Sequence, residues 1–183
     1  MSARPLLTLV AVVSADGFIS TGTGVPWALP RDKAHFRRVT RGQWLLIGRR
    51  TYEEMIGWFR DHHPLVLTRD RDFKPPVGQR VGSVAEALRI VGQAGAHELV
   101  VVGGSGPFDA AMPMADRLIM TEVADVLGSG VPFPAIAPDQ WHVVSRQTFP
   151  PDAENAYGMA IVTYERRHPG QDRPPDSLSE NSR

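Results

Sequence analysis

Short apolar runs alternate with helical patterns along most of this chain. The runs lie at residues 6–13, 44–47, 65–68, 98–102 and 117–123. Continuous apolar runs of about four to eight residues are typical of strands buried on both faces of a sheet. Parallel neighbours in a sheet need crossover connections, which are usually helices. The sequence therefore predicts an α/β fold, in which a mostly parallel sheet has helices on both faces.

Helix and turn signals occupy the connections between these runs. Gly42 ends the first predicted helix, and a capping box of Ser83 and Glu86 begins the third. The predicted helices cover residues 31–41, 52–58, 84–93 and 107–112. The remaining predictions are loops over 14–25 and 128–134, a short strand at 80–81, and antiparallel edge strands over 141–144 and 157–164.

Composition narrows the functional classes. The 183 residues suffice for one domain, and we expect it to span 1–167, followed by a disordered tail over 168–183. The chain has 20 Lys and Arg residues and 20 Asp and Glu residues, so its formal net charge is zero. This balance argues against nucleic acid or a membrane as a partner. The chain has no Cys, and no metal site is predicted. Without a signal peptide or an apolar span, we expect a cytoplasmic protein. A monomer is expected, with a homodimer as the alternative.

Asp32 is the most informative charged residue. It shares one face of the first predicted helix with Phe36 and with Val39 or Thr40, and that face is otherwise apolar. A carboxylate on an apolar face is costly unless something binds it. Asp32 is therefore either paired inside the protein or available to a cationic or hydrogen-donating ligand.

Two glycine-containing corners each join a strand to a helix. Residues 48–51 read Gly-Arg-Arg-Thr, a pattern that suits an anion because helix amides and guanidinium groups bind phosphate. Residues 103–107 read Gly-Gly-Ser-Gly-Pro, which lets a ligand approach the backbone. Thr68 and Arg69 end another strand, at the sheet edge where α/β proteins bind ligands. An ordinary helix start and a tight turn are the alternatives for the two corners.

These motifs, in this order, resemble the dihydrofolate reductase family. The resemblance rests on Pro-Trp-Ala-Leu-Pro-Arg-Asp at 26–32, the two corners, and Gly-x-x-x-x-Phe-Pro at 128–134. It covers residues 6–167 and implies an eight-stranded mixed, mostly parallel sheet flanked by helices. It further implies a cis peptide between Gly103 and Gly104. The implied activity is reduction of 7,8-dihydrofolate to tetrahydrofolate by hydride transfer, with NADPH as the cofactor.

The resemblance also implies roles for single residues. Asp32 would pair with the 2-amino group and a ring nitrogen of the pteridine, Thr121 would hydrogen-bond that carboxylate, and Trp27 would help to order a water. The residues implied to bind the substrate are Val12, Ile19, Val25, Lys33, Phe36, Met55, Phe59, Arg60, His62 and Val102. Those implied to bind the cofactor are Ala11, Ile19, Gly48, Arg49, Arg50, Thr51, Thr68, Arg69, Gly103, Gly104, Ser105, Gly106 and Phe108.

Three positions depart from the family pattern. His62 stands where an Arg usually grips the folate α-carboxylate, and Lys33 follows Asp32 where an apolar residue is usual. Gly106 lies where many relatives carry a phosphate-binding Arg. The sequence therefore leaves two alternatives for the substrate tail. Either Arg60, Lys33 or protonated His62 binds a glutamate carboxylate, or the substrate carries a different tail such as a phosphate.

Two other functions stay open from the sequence. The pyrimidine reductase of riboflavin biosynthesis shares the implied fold, and its Ser-x-Asp-Gly resembles residues 14–17, but it typically lacks the motif at 26–32. A nucleotide-binding or interaction protein without turnover is the other alternative. Asp32 together with both glycine corners argues against it.

Overall fold

The computed structural model describes residues 4–168. The strands are β1 (Leu6–Ser14), β2 (Phe18–Ser20), β3 (Trp44–Gly48), β4 (His63–Leu67), β5 (Gln79–Val81), β6 (Glu98–Gly103), β7 (Arg117–Val123), β8 (Val131–Pro132), β9 (Trp141–Phe149) and β10 (Met159–Arg166). The helices are α1 (Pro30–Thr40), α2 (Arg49–Glu54), α3 (Val84–Gln93) and α4 (Ser105–Ala111), and a 3-10 turn follows at Met112–Met114.

One eight-stranded sheet organises the chain, in the order β5-β4-β3-β6-β1-β7-β10-β9. The strands from β5 to β7 are parallel, and β10 runs antiparallel to both β7 and β9. This arrangement confirms the predicted mixed, mostly parallel sheet. Because the parallel strands end at one edge, the segments that follow β1, β3, β4, β6 and β7 meet there.

Three predictions about local structure were wrong. The predicted loops 14–25 and 128–134 contain β2 and β8, which pair with each other in a separate two-stranded sheet. The strand predicted at 157–164 is not an edge strand, because β10 lies between β7 and β9. The second helix begins at Arg49 and ends at Glu54 rather than covering 52–58. Gly57 has a φ of +91°, a backbone conformation that no α-helix contains.

The two faces of the sheet carry separate apolar clusters. On one face, Val10, Leu45 and Val100 pack with Phe36 of α1 and Tyr52 of α2. On the other face, Leu7, Leu9 and Leu118 pack against α3 and α4. Alternate residues of β1 therefore serve opposite faces, as the pleat of a strand requires. This places α1, and with it Asp32, on the face opposite to α3 and α4.

The predicted tail, apart from His168, lies outside the described residues. Within residues 4–168, no helix is long and apolar enough to cross a membrane.

Candidate active site

Asp32 lies in the first turn of α1, half-buried, and receives a hydrogen bond from the Thr121 hydroxyl. Thr121 is 2% exposed on β7, where it pairs in register with Val12 of β1. Burial raises the pKa of Asp32, while the Thr121 hydrogen bond, His35 and Lys33 act in the opposite direction. Within the described residues, Asp32 makes no ion pair with a cationic side chain. A carboxylate in this state is suited to a ligand that brings its own donors or positive charge.

The predicted apolar site residues fall into three clusters. Phe36, Met55, Phe59 and Val102 belong to the cluster on the α1 side of the sheet, so the structure brings these four predicted substrate residues together. Ile19 instead packs in the cluster on the other face, together with Ala11 and Phe108. All three were predicted to contact the cofactor. Val12 joins a third, smaller cluster that contains Trp27 and Leu29.

The indole of Trp27 has a partner that the sequence did not indicate. Trp27 is 5% exposed, and its Nε1 donates to Asp125 Oδ2 at 2.9 Å. Asp125 lies just after β7, and its backbone oxygen also accepts from Ala15 N at 2.8 Å. The resemblance implied that Trp27 helps to order a water, and the structure shows its indole donor hydrogen-bonded to a carboxylate. Asp125 links the segment before α1 to the loop that follows β1.

The residues predicted to meet the substrate tail differ in exposure. Lys33 and Arg60 are exposed, as is Val25, which was predicted to bind the substrate but not its tail and is 58% exposed. The His62 ring stacks on Trp58, with centroids 4.2 Å apart. Burial is the main cause that lowers the pKa of His62 below its usual 6.5, so its imidazole is mostly neutral at pH 7. Among the three candidates for the substrate tail, the permanent positive charges therefore belong to Lys33 and Arg60.

The two glycine corners meet across neighbouring strands β3 and β6. A Cβ built at Gly104 would lie 3.0 Å from Thr51 Oγ1, and one built at Gly48 would lie 3.2 Å from Pro107 Cγ. The Gly103–Gly104 peptide is cis, as the resemblance implied. Glycine is required here because a side chain would fill the space between the corners.

Three guanidinium groups lie just after β3 and β4, beside these corners. Arg49, Arg50 and Arg69 are all exposed. Arg49 already contacts Glu53 Oε1 and Asp70 Oδ2, each at 2.8 Å, and an anionic ligand would compete with both carboxylates for it. Thr68 is half-buried, and its hydroxyl accepts from Asp70 N. Ser105 is half-buried and Gly106 exposed in the first turn of α4.

Sequence reasoning missed one buried group beside Asp32. His35 lies one turn further along α1 and is 8% exposed. Its Nδ1 contacts Arg38 Nη2 at 2.9 Å, and its buried Nε2 has no protein partner among the described residues. The i, i+3 spacing from Asp32 was a signal that could have placed it on the same face.

A groove of about 710 Å³ lies away from these residues. It opens beside Met120, Glu122 and Arg146, between the sheet and the segment 133–136. Met120 and Glu122 alternate with Thr121 along β7, so the groove lies on the opposite face of the sheet from Asp32. None of the predicted site residues lines it.

Comparison with solved structures defines the class of protein. The chain is similar to the dihydrofolate reductase from Enterococcus faecalis complexed with NADP(H) and RAB-propyl, with a TM-score of 0.79 and 26% identity, covering 92% of this chain and 100% of that one. The fold is therefore the α/β fold of dihydrofolate reductases.

Sequence comparison then gives the family. The family model of dihydrofolate reductase matches residues 6–166, and this chain belongs to that family. It is 29% identical to the type 3 dihydrofolate reductase of Salmonella typhimurium over 88% of this chain and 99% of the relative. It is 36% identical to the dihydrofolate reductase of Mycobacterium tuberculosis strain H37Rv over 64% of this chain and 73% of the relative.

Proposed function

We propose that this protein reduces 7,8-dihydrofolate to tetrahydrofolate with NADPH. The observation that carries the proposal is Asp32: a half-buried carboxylate held by Thr121, with no cation paired to it in the described chain. Phe36 and Met55 of the nearby apolar cluster supply a surface for a flat aromatic ring. The names of the relatives support the same reaction.

The role of Asp32 follows from its surroundings. When bound, NADPH supplies the hydride that reduces the C=N bond of the pteridine. The Asp32 carboxylate accepts hydrogen bonds from the 2-amino group and the adjacent ring nitrogen, and the anion favours the protonated pterin. Thr121 restrains the carboxylate. A proton must also reach the nitrogen next to the reduced carbon, and we assign its delivery to ordered water rather than to direct contact with Asp32.

The residues at the corner fit the cofactor. The close approach of Gly104 to Thr51 leaves backbone that a pyrophosphate can touch, and Arg49 and Arg50 offer forked donors to phosphate. Thr68 and Arg69 lie at the end of the neighbouring strand, where we place the adenosine 2′-phosphate. This placement favours NADPH over NADH. The Enterococcus faecalis relative was solved with NADP(H), which supports the choice.

The riboflavin-pathway alternative gains no support from residues 14–17. Ser14 Oγ accepts from Phe18 N at 2.9 Å. Asp16 accepts from Leu127 N at 3.1 Å and from Gly128 N at 2.7 Å. The Ser-x-Asp-Gly sequence is thus accounted for by contacts within the fold.

NADPH oxidation with dihydrofolate, compared with the riboflavin-pathway pyrimidine, tests the proposal. We expect oxidation with dihydrofolate only. Asp32→Asn should bind NADPH normally but lose reduction at neutral pH, whereas Asp139→Asn, a change at an exposed site, should match the wild type. Full activity of Asp32→Asn would remove Asp32 from its role. A wild type that turns over only the pyrimidine would refute the function.

The finer assignments belong to the same proposal. We propose one domain that ends at residue 167, a cytoplasmic location and a monomeric state. Limited proteolysis tests the domain boundary, cell fractionation the location, and light scattering the monomer.

A further inference from the structure

Helix α1 begins without a cap of its own. Its N-cap residue is Leu29, which has no side-chain acceptor, and no side chain of the N-cap position bonds to the first turn. The first amides of any helix lack intrahelical partners and are normally satisfied by a capping oxygen. Asp32 lies in this first turn, so the order of the turn bears directly on the position of the carboxylate.

Asn155 supplies the missing acceptor from a distant part of the chain. It lies in the loop between β9 and β10, is 2% exposed, and its Oδ1 accepts from Arg31 N at 3.1 Å. Arg31 is the second residue of α1, and the N–H at that position is one that an N-cap side chain normally satisfies. Asn155 therefore caps α1 from the β9–β10 loop, in place of Leu29, whose side chain has no acceptor.

Asp152 holds the Asn155 amide in the orientation that capping requires. Asp152 Oδ1 accepts from Asn155 N at 2.8 Å and from Asn155 Nδ2 at 2.9 Å. With its nitrogen fixed in this way, the amide directs its oxygen towards Arg31 N. The hydrogen bonds from Asn155 and Glu154, and the contact with Arg31, lower the pKa of Asp152 to about 2, so this carboxylate remains charged at neutral pH.

The Arg31 side chain makes a second, separable link to the same loop. Its Nη2 lies 2.8 Å from Asp152 Oδ2, and its guanidinium stacks over Phe149 at 4.6 Å. This ion pair is partly exposed, and such pairs contribute little. Because the capped donor is the backbone N–H of Arg31, truncating the side chain removes the ion pair and leaves the cap.

We propose that Asn155 is a positioning residue for Asp32: it caps α1 from the β9–β10 loop and thereby holds the carboxylate where the pteridine binds. This inference rests on the proposed function. Without the cap, the first turn of α1 frays and Asp32 samples other positions. The glycine corners lie on other elements, so NADPH binding does not depend on the cap.

Three variants separate this role from general stability. Activity of the wild type with dihydrofolate is measured first. Asn155→Ala should then weaken binding of dihydrofolate and of a 2,4-diaminopteridine about tenfold, the size expected for a lost cap, with NADPH affinity unchanged. Asn155→Asp keeps an acceptor oxygen but replaces the Nδ2 donor to Asp152 by a second carboxylate, so it should lose pteridine affinity as Asn155→Ala does. Arg31→Ala, the matched control, should stay within about twofold of the wild type.

Some results would overturn the role of Asn155, and others would overturn the proposed function. Unchanged pteridine affinity in Asn155→Ala, or an equal loss of NADPH affinity, would overturn the inference. So would an alanine variant that fails to fold in the cold with saturating NADPH, because Asn155 would then serve the whole fold. A wild type without activity on dihydrofolate would refute the proposed function. If the wild type is active and Asn155→Ala leaves the pteridine affinity unchanged, only the role of Asn155 is refuted.

Discussion

The hydrogen bond between Trp27 and Asp125 can be measured directly by removing each partner. Asp125→Ala deletes the acceptor of the 2.9 Å bond but keeps the backbone oxygen that accepts from Ala15 N. Trp27→Phe deletes the donor and keeps an aromatic ring in the same buried position. Neither change removes the backbone link between the two loops. Asp125→Ala also removes the Oδ1 that accepts from Val126 N at 2.9 Å, and the double-mutant cycle below cancels that loss.

The expected magnitude follows from charge and exposure. A hydrogen bond to a charged group is worth about 1.5–3 kcal/mol. Trp27 is nearly buried but Asp125 is half-exposed, so water can partly replace the bond and we expect about 1–2 kcal/mol. At about 2–4 °C for each kcal/mol in a domain of this size, Asp125→Ala should lower the Tm by about 2–8 °C.

Thermal and urea unfolding of a double-mutant cycle supplies the assay. The coupling between Trp27→Phe and Asp125→Ala should equal the expected 1–2 kcal/mol, within about 0.5 kcal/mol. Asp125→Asn retains an acceptor oxygen and should lose less stability than Asp125→Ala. Asp139→Ala, at an exposed position, controls for the loss of one negative charge. Single effects that add within about 0.3 kcal/mol would refute the reasoning.

Three further predictions concern charge and burial. Burial raises the pKa of Asp32 above its unfolded value of 3.8, so stability falls as pH rises from that value through the folded pKa. Asp32→Asn should therefore be more stable than the wild type above neutral pH, with the gap closing below pH 3.8; a more stable wild type in alkali contradicts this. Arg49 pairs with Asp70 beside Arg69, so we also place its guanidinium at the 2′-phosphate. Arg49→Ala should weaken NADPH binding by roughly 1–3 kcal/mol and NADH binding less, with Arg37→Ala as the control in titrations; equal losses remove Arg49 from the 2′-phosphate site. The Tyr52 hydroxyl donates to Val77 O at 2.8 Å and accepts from Val77 N at 3.0 Å, so Tyr52→Phe should cost about 1–3 kcal/mol in urea unfolding, whereas Tyr157→Phe, 37% exposed, should cost almost nothing.

Elements with strong local signals were predictable. The capping box at Ser83 and Glu86 correctly placed α3 over 84–93. Gly42, with a φ of +68°, ends α1 within one residue of the expected position. The second helix was misplaced because its limit depends on Gly57 and on the packing of Trp58 against Phe36, whose centroids are 5.5 Å apart. The pairing of β10 with β7 was missed because pairing partners leave no trace in a single strand.

The site residues also divide into those that the sequence predicted and those that it did not. Asp32 and Thr121 came from motifs, and the structure brings these two side chains into contact. His35 is only one turn from Asp32, yet its burial depends on the sheet beneath α1. Asp125 and Asn155 lie far along the chain from the groups they bind, and no periodicity or motif relates them to Trp27 or Arg31.

The amino-acid order alone determined the alternation of strands and helices, the glycine corners and the acid on an apolar helix face, because each depends on neighbours within a few residues. Only the tertiary structure decided which carboxylate accepts the hydrogen bond from the Trp27 indole and which side-chain amide caps α1. Those contacts join segments about a hundred residues apart. Their geometry arises only when the folded sheet brings the loops together at one edge.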